Sequence, residues 1–176
     1  VDHALERFRA DDGGFHDTAS DAEALVARPR DPTDNASPSG LSAMVHALLT
    51  AAAMTGDGSY EQAAEDALGT VAALAMQAPR FTGWSLAAAE ALAAGPLEVA
   101  VVGPTGAARD ELERTARRAP GVTVVVAEQG NERIPLLAGR GPVDGEPAAY
   151  VCRRMVCDRP VTTTDDLVRL VGGPLG

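Results

Sequence analysis

Three aspartates, Asp17, Asp31 and Asp34, lie in two loops of the sequence that are rich in glycine and proline. Carboxylates are the usual proton donors and acceptors in glycoside and epimerase-type chemistry. The prolines within residues 28–40 fix φ and favour an extended backbone before each of them, so this segment should hold its polar groups at fixed separations. The aspartates are therefore candidate catalytic acids and bases, or else members of a buried structural network, and the sequence leaves both open.

Side chains near these aspartates are candidates for binding a sugar-like ligand: Phe15, Arg28, Arg30, Asn35 and Ser39. The glycine pair within residues 11–18 allows a sharp turn and the close approach of a ligand. The alternative for this loop is a tight turn between helices, with its acids in solvent. We predict neither a metal site nor a cofactor for the chain.

Cys152 and Cys157 are the only two cysteines in the sequence. Two thiolates cannot complete a structural zinc site, which needs four ligands. On a straight strand their odd offset would place them on opposite faces about 16 Å apart, far beyond the roughly 6 Å Cα separation of a disulfide. A disulfide would need a turn at residues 153–156, which contain no typical turn residue. We therefore predict two reduced, buried thiols, with a redox pair as the alternative.

The elements that would position these residues change in character near Gly95. Before it, apolar residues follow a helical spacing, as in Leu41, Val45 and Leu48, and after it short β-rich runs alternate with helical segments. Before residue 95, the pattern predicts helices at residues 1–9, 39–54, 59–78 and 83–93. After it, the pattern predicts a β-α-β unit, with parallel strands at 98–102 and 122–127 around a helix at 107–119. A third strand is predicted at 148–152 and a last helix to about residue 171. Residues 21–27 fit a helix or a strand equally well.

Composition excludes several classes of partner. The chain has 176 residues, a net charge of −10 and 45% apolar residues, which fits a globular protein and disfavours a phosphate backbone as ligand. No apolar run approaches the roughly 20 residues that span a bilayer, so we expect no nucleic-acid partner and no membrane partner. Because the first residues read as the tail of an amphipathic helix, we expect a fragment of a longer protein.

Several short runs resemble the C-terminal part of the thioredoxin domain-containing family, the bacterial relatives of spermatogenesis-associated protein 20: GGFHDT at 13–18, RPRD at 28–31, DNASPSG at 34–40, TGD at 55–57 and AYVC at 149–152 followed by Cys157. The resemblance implies a thioredoxin-like N-terminal domain, an (α/α)6 toroid similar to N-acylglucosamine 2-epimerase and six-hairpin glycosidases, and a small α/β region. The biochemical function of that family is unassigned. The chain departs from it at Leu41, where an asparagine is expected.

Together these observations predict a mixed α and α/β fold, with toroid helices in residues 1–95 and a three-stranded α/β domain in residues 96–176. The leading functional hypothesis is the binding or processing of a sugar-like substrate in a toroid cleft of a bacterial, cytoplasmic protein. The alternative is a scaffold or redox-partner module that docks the thioredoxin-like domain. We expect the fragment alone to lack turnover and to self-associate, because its helices would face missing toroid neighbours.

Overall fold

The computed structural model describes residues 1–23 and 27–172, so part of the ambiguous segment at 21–27 lies outside the described residues. The chain divides into two compact units, one formed by residues 1–52 and 57–93, the other by residues 53–56 and the chain from 94 onward. The helices are α1 (Asp2–Phe8), α2 (Gly40–Thr55), α3 (Gly58–Gln77), α4 (Gly83–Ala94), α5 (Ala107–Ala116) and α6 (Thr164–Gly172), and the strands are β1 (Leu97–Val102), β2 (Val122–Ala127), β3 (Ala148–Arg153) and β4 (Val156–Cys157).

The first unit is helical and has one hydrophobic core. The apolar stripe predicted for α2 is buried, since Leu41, Val45 and Leu48 are at most 2% exposed. They pack against small residues of α3 and α4, including Ala64 and Ala88, which let the helices approach closely. These four helices do not by themselves form a closed ring of helical hairpins, so the predicted toroid is not confirmed.

The start of α3 differs from the sequence interpretation. The sequence predicted a helix from residue 59, where a serine followed three residues later by Gln62 fits a capping box with Ser59 as the N-cap. Instead Asp57 is the N-cap, and its side chain accepts a hydrogen bond of 2.9 Å from the Ser59 backbone N–H. Both residue types cap helices well, and the aspartate accepts from the N–H group of the second helical residue, as an N-cap side chain usually does.

The second unit is built on a four-stranded mixed sheet with the order β2-β1-β3-β4. β1 and β2 are parallel, as predicted for the β-α-β unit, whereas β3 runs antiparallel to β1. α5 and α6 cover one face, where Val99, Val101 and Leu167 form a buried cluster. The opposite face is covered by the segment around Leu136 and Leu137, which packs on Ala100, Val102 and Cys152.

The prediction of three strands was wrong, because the chain reverses after β3 and adds β4. The turn is formed by Arg154 and Met155, which both have positive φ (47° and 64°). A two-residue hairpin turn with positive φ at both central positions is usually made by Asn-Gly or similar pairs. Neither residue carries that signal, so the sequence did not reveal the turn.

Among the described residues, no helix combines the length and the apolar character needed to cross a membrane.

Candidate functional site

A disulfide joins Cys152 and Cys157 across the hairpin of β3 and β4, with a Cα separation of 3.9 Å. The prediction of reduced thiols assumed a straight strand and is therefore wrong. Asp158 donates its backbone N–H to the Val151 carbonyl at 2.9 Å, which makes the neighbouring pair hydrogen-bonded. The cysteines thus occupy a non-hydrogen-bonded pair, where antiparallel strands bring two side chains closest together.

The two sulfurs differ in their access to solvent. Cys152 is 1% exposed and belongs to the cluster on the sheet face opposite α5 and α6. Cys157 is half-buried and lies on β4, the last strand in the sheet order. Within the part of the chain that the structure describes, Cys157 is therefore the sulfur more open to a reagent from solvent.

A guanidinium group lies directly against the disulfide. Nη2 of Arg140 is 2.7 Å from Sγ of Cys157 and 3.5 Å from Sγ of Cys152. Its Nη1 donates to the carbonyl oxygens of Pro135, at 3.2 Å, and Leu136. Because these carbonyls fix one side of the planar group, the other side points at the two sulfurs.

A buried carboxyl group lies next to the same hairpin. Glu98 is 2% exposed, faces Cys152 across β1 and β3 in the strand register, and accepts a hydrogen bond of 3.0 Å from the Met155 N–H. Burial lowers the pKa of Arg140, while the charge of Glu98 and the nearby Tyr150 act to raise it. The guanidinium nevertheless stays protonated at any physiological pH.

Sequence reasoning missed both Arg140 and Glu98. A weak signal exists for Glu98, because it is the one charged residue within the apolar run of β1, and a charge on a buried strand needs partners. Arg140 lies in an irregular glycine-rich connection, where no periodicity marks it.

In the first unit, Asp34 is buried, with 4% exposure, and its hydrogen bonds reach two helices. Oδ1 accepts from the Ser39 N–H at 2.9 Å and the Ser42 hydroxyl at 2.7 Å, where α2 begins. Oδ2 accepts from the N–H groups of Trp84 at 2.8 Å and Ser85 at 3.3 Å, where α4 begins. One carboxylate thus satisfies free N–H groups at two helix N-termini, where a negative charge is also favourable.

The environment of Asp34 keeps it ionised. Burial acts to raise its pKa, but the hydrogen bonds from Ser39, Ser42, Ser85 and Trp84 together outweigh burial, so the pKa lies below its ordinary value. A carboxylate that accepts four hydrogen bonds from its own fold is poorly suited to exchange protons with a ligand. The structural alternative for Asp34 is therefore the better supported one.

The two predicted arginines also bind the fold itself. Nη2 of Arg28 donates to the carbonyl oxygens of Arg7 at 2.9 Å and Thr18 at 2.6 Å. Arg30 makes an ion pair of 2.7 Å with Asp12. These contacts tie the two loops together, so the arginines position the loops and do not extend toward a free ligand.

Asp17 and Asp31 are exposed and adjacent. The Asp31 backbone N–H donates to Oδ2 of Asp17 at 3.0 Å. The hydroxyl and the backbone N–H of Thr33 both donate to Asp31 and lower its pKa. A carboxylate with a lowered pKa can accept a proton weakly but cannot serve as an acid near neutral pH.

Asp17 also lines a cavity of about 530 Å³, whose walls are mostly apolar and include Phe8, Phe15, His16, Met44 and Ala47. Nδ1 of His16 is buried and has no hydrogen-bond partner within the part of the chain that the structure describes. Phe15 is 3% exposed and belongs to the helical core, so it forms a wall and not an open platform.

The remaining predicted binding residues lie apart from this cavity lining. Ser39 is buried and is the N-cap of α2, because its Oγ accepts from the Ser42 N–H at 3.1 Å. Asn35 is exposed, and its backbone N–H bonds the Ser37 carbonyl.

Across residues 1–23 and 27–172, no group of three or more His, Cys, Asp or Glu side chains is placed to hold a metal ion. Comparison with protein-family models gives no match to this chain, and comparison with curated proteins gives none either.

Proposed function

We propose that the hairpin of β3 and β4 is a redox module whose disulfide exchanges with the dithiol of a thioredoxin-like domain. The observation that supports this most strongly is the asymmetry of the disulfide, with a half-buried Cys157 at the sheet edge and a buried Cys152 behind it. A single accessible sulfur gives exchange a defined direction of attack. The resemblance of the chain to the thioredoxin domain-containing family supplies the class of partner.

The proposed exchange has two steps. A thiolate of the partner attacks Sγ of Cys157, forming a mixed disulfide and breaking the bond to Cys152, whose sulfur leaves as a thiolate. The second thiol of the partner loses its proton and attacks its own neighbouring sulfur, which releases Cys157. Two electrons pass from the partner dithiol to this disulfide, and the two protons lost by the partner are balanced by two that the new thiols take up from solvent.

Reduction by a purified thioredoxin tests this proposal. The oxidised chain is added to thioredoxin, thioredoxin reductase and NADPH, and we expect consumption of about one equivalent of NADPH per disulfide, as the exchange stoichiometry requires. The Cys152→Ser variant provides the control and should consume none. A thioredoxin that lacks its resolving cysteine should become trapped on Cys157. A disulfide that dithiothreitol reduces but thioredoxin leaves intact would contradict the proposal.

A second candidate function is the binding of a sugar-like small molecule by the first unit, within an α/α toroid to which α2, α3 and α4 would contribute. The cavity beside Asp17 and His16 favours it, because it combines apolar walls with a carboxylate and an unpartnered ring nitrogen. Of the predicted catalytic aspartates, Asp17 is then the best candidate for an acid or base.

Isothermal titration of the full-length protein against a panel of sugars tests this second candidate. Saturable binding that is lost in Asp17→Asn and retained in Asp11→Asn, an exposed acid outside the cavity lining, would support it. Absence of binding across the panel would favour the redox module as the function of the whole chain.

A further inference from the structure

We propose that Arg140 controls the reactivity of the hairpin by holding the Cys157 sulfur as a thiolate once the disulfide is reduced. This inference rests on the proposed redox function, to which it adds a residue that the sequence did not mark. It predicts a cysteine that reacts rapidly at neutral pH even though its side chain is only partly exposed.

The oxidised hairpin already holds the Arg140 guanidinium against its sulfurs. Its Nη2 lies 2.7 Å from Sγ of Cys157, closer than the 3.5 Å to Sγ of Cys152. The carbonyl oxygens of Pro135 and Leu136 hold Nη1, so the guanidinium is already oriented in the oxidised state. Little reorganisation is therefore needed to meet the negative charge that forms on Cys157 when the disulfide opens.

The positive charge of Arg140 favours a thiolate on Cys157. A cation in contact with a thiol stabilises the thiolate, and cysteines beside Arg, Lys or protonated His have lowered pKa values. Arg140 is partly buried, so solvent and salt screen its charge less than they would at the surface. Since a better leaving thiolate also departs faster, the same contact assists both steps of the exchange, with Cys152 leaving in the first and Cys157 in the second.

Other charged and titratable groups lie beside the hairpin, and the sign of each charge decides whether it stabilises or opposes a thiolate on Cys157. Glu98 on β1 is negative when ionised and opposes the thiolate. Tyr150 on β3 lies with its ring 5.9 Å from the Arg140 guanidinium carbon, and its hydroxyl donates to the Gly141 carbonyl. The flanking cations are Arg153, which donates to the Gly95 carbonyl, and Arg154 in the turn. Arg140 donates to both sulfurs, so we expect its effect on the Cys157 thiolate to be large.

A single-thiol variant makes the effect measurable without any partner protein. In Cys152→Ser, the Cys157 thiol titrates alone, and its ionisation is followed by thiolate absorbance and by the rate of alkylation with iodoacetamide across pH. We expect a midpoint below the ordinary cysteine value of about 8.5. Adding Arg140→Met should raise the midpoint by about one pH unit and slow alkylation at neutral pH roughly tenfold. Arg140→Lys, which keeps the charge but not the planar fork, should restore part of the rate.

A second variant keeps the inference open to refutation should Arg140→Met fail to fold. Arg140→Gln keeps an N–H donor for the carbonyl oxygens of Pro135 and Leu136 but removes the charge, so it should raise the Cys157 midpoint as Arg140→Met does. A midpoint that stays unchanged in Arg140→Met, or in Arg140→Gln where Arg140→Met does not fold, would overturn the role of Arg140.

The two proposals fail in different ways. Poor reduction by thioredoxin together with an Arg140-dependent midpoint would count against the proposed partner class and leave the role of Arg140 standing. Efficient reduction with a midpoint insensitive to Arg140 would overturn this inference alone.

Discussion

Removing the Asp34 carboxylate should destabilise the first unit more than removing any other acid of the same loops. In Asp34→Ala, the backbone N–H groups at the starts of α2 and α4 lose their shared acceptor, whereas the Ser42 hydroxyl can still donate to the Ser85 hydroxyl 2.8 Å away. The loss of one helix cap costs about 1 kcal/mol. Loss of the acceptor at both helix starts therefore predicts a loss of about 2 kcal/mol, a substantial part of the roughly 5–15 kcal/mol typical of a folded domain.

Urea denaturation followed by tryptophan fluorescence measures this loss directly, because Trp84 is the only tryptophan and lies at the start of α4. Asp31→Ala is the matched control. That residue is exposed, and among the described residues its side chain accepts from Thr33 alone, so its removal should change stability by less than about 1 kcal/mol. Asp34→Asn should be intermediate, since an amide keeps one acceptor but turns an N–H₂ group toward the other donors. Equal midpoints for Asp34→Ala and Asp31→Ala would refute the capping role.

The same carboxylate predicts a pH dependence of stability. Because the folded state lowers the pKa of Asp34, the unfolded chain binds the proton more tightly. Its contribution to stability is therefore fully present above the ordinary carboxyl pKa of about 3.9 and is lost as the pH falls below that value through the lower pKa of the folded state. The difference in unfolding free energy between the unsubstituted chain and Asp34→Asn should shrink over that acid range and stay constant near neutral pH.

Two further predictions concern stability and association. Gly13→Ala should lower the free energy of unfolding by about 1–2 kcal/mol, because Gly13 has a φ of 92° and an added Cβ would lie 2.9 Å from the Asp66 Cβ. Gly58→Ala is the control in the same denaturation assay, since a Cβ added at Gly58 has no neighbouring atom within 4 Å. The chain should self-associate at micromolar concentration, since Met76, Trp84 and Leu86 are 87%, 46% and 42% exposed. Sedimentation equilibrium measures the association, and a strictly monomeric chain would contradict this prediction. Leu86→Glu should weaken the association.

The helices and the first three strands could be predicted because their signals are local. The stripe of Leu41, Val45 and Leu48 needs only the helical repeat to be recognised, and the apolar runs of β1 and β2 need only their length and β-branched content. The observed bounds of α2 and β2 agree with the predicted ones to within a residue at each end. The end of α5, three residues earlier than expected, shows how weakly sequence specifies where a helix stops.

The hairpin could not be predicted, because its turn is made by residues without turn chemistry. Arg154 and Met155 adopt positive φ, which costs free energy in a non-glycine residue. Pairing of β4 with β3 and the bond between Cys152 and Cys157 hold the turn in place. These interactions depend on partners brought together by the turn itself, so no reading of residues 153–156 in isolation reveals them.

By itself, the sequence determined which elements form and which residue types could carry chemistry, because periodicity, capping and side-chain identity act over a few neighbouring positions. Only the tertiary structure decided how those residues are used. Asp34 became a shared helix cap because α4, fifty residues further along, starts beside it, while Asp17 stayed open to a cavity. Arg140 gained its role because the sheet places two sulfurs under its guanidinium. Burial and long-range contact fix the protonation and reactivity of a group, and neither is encoded in its immediate neighbours.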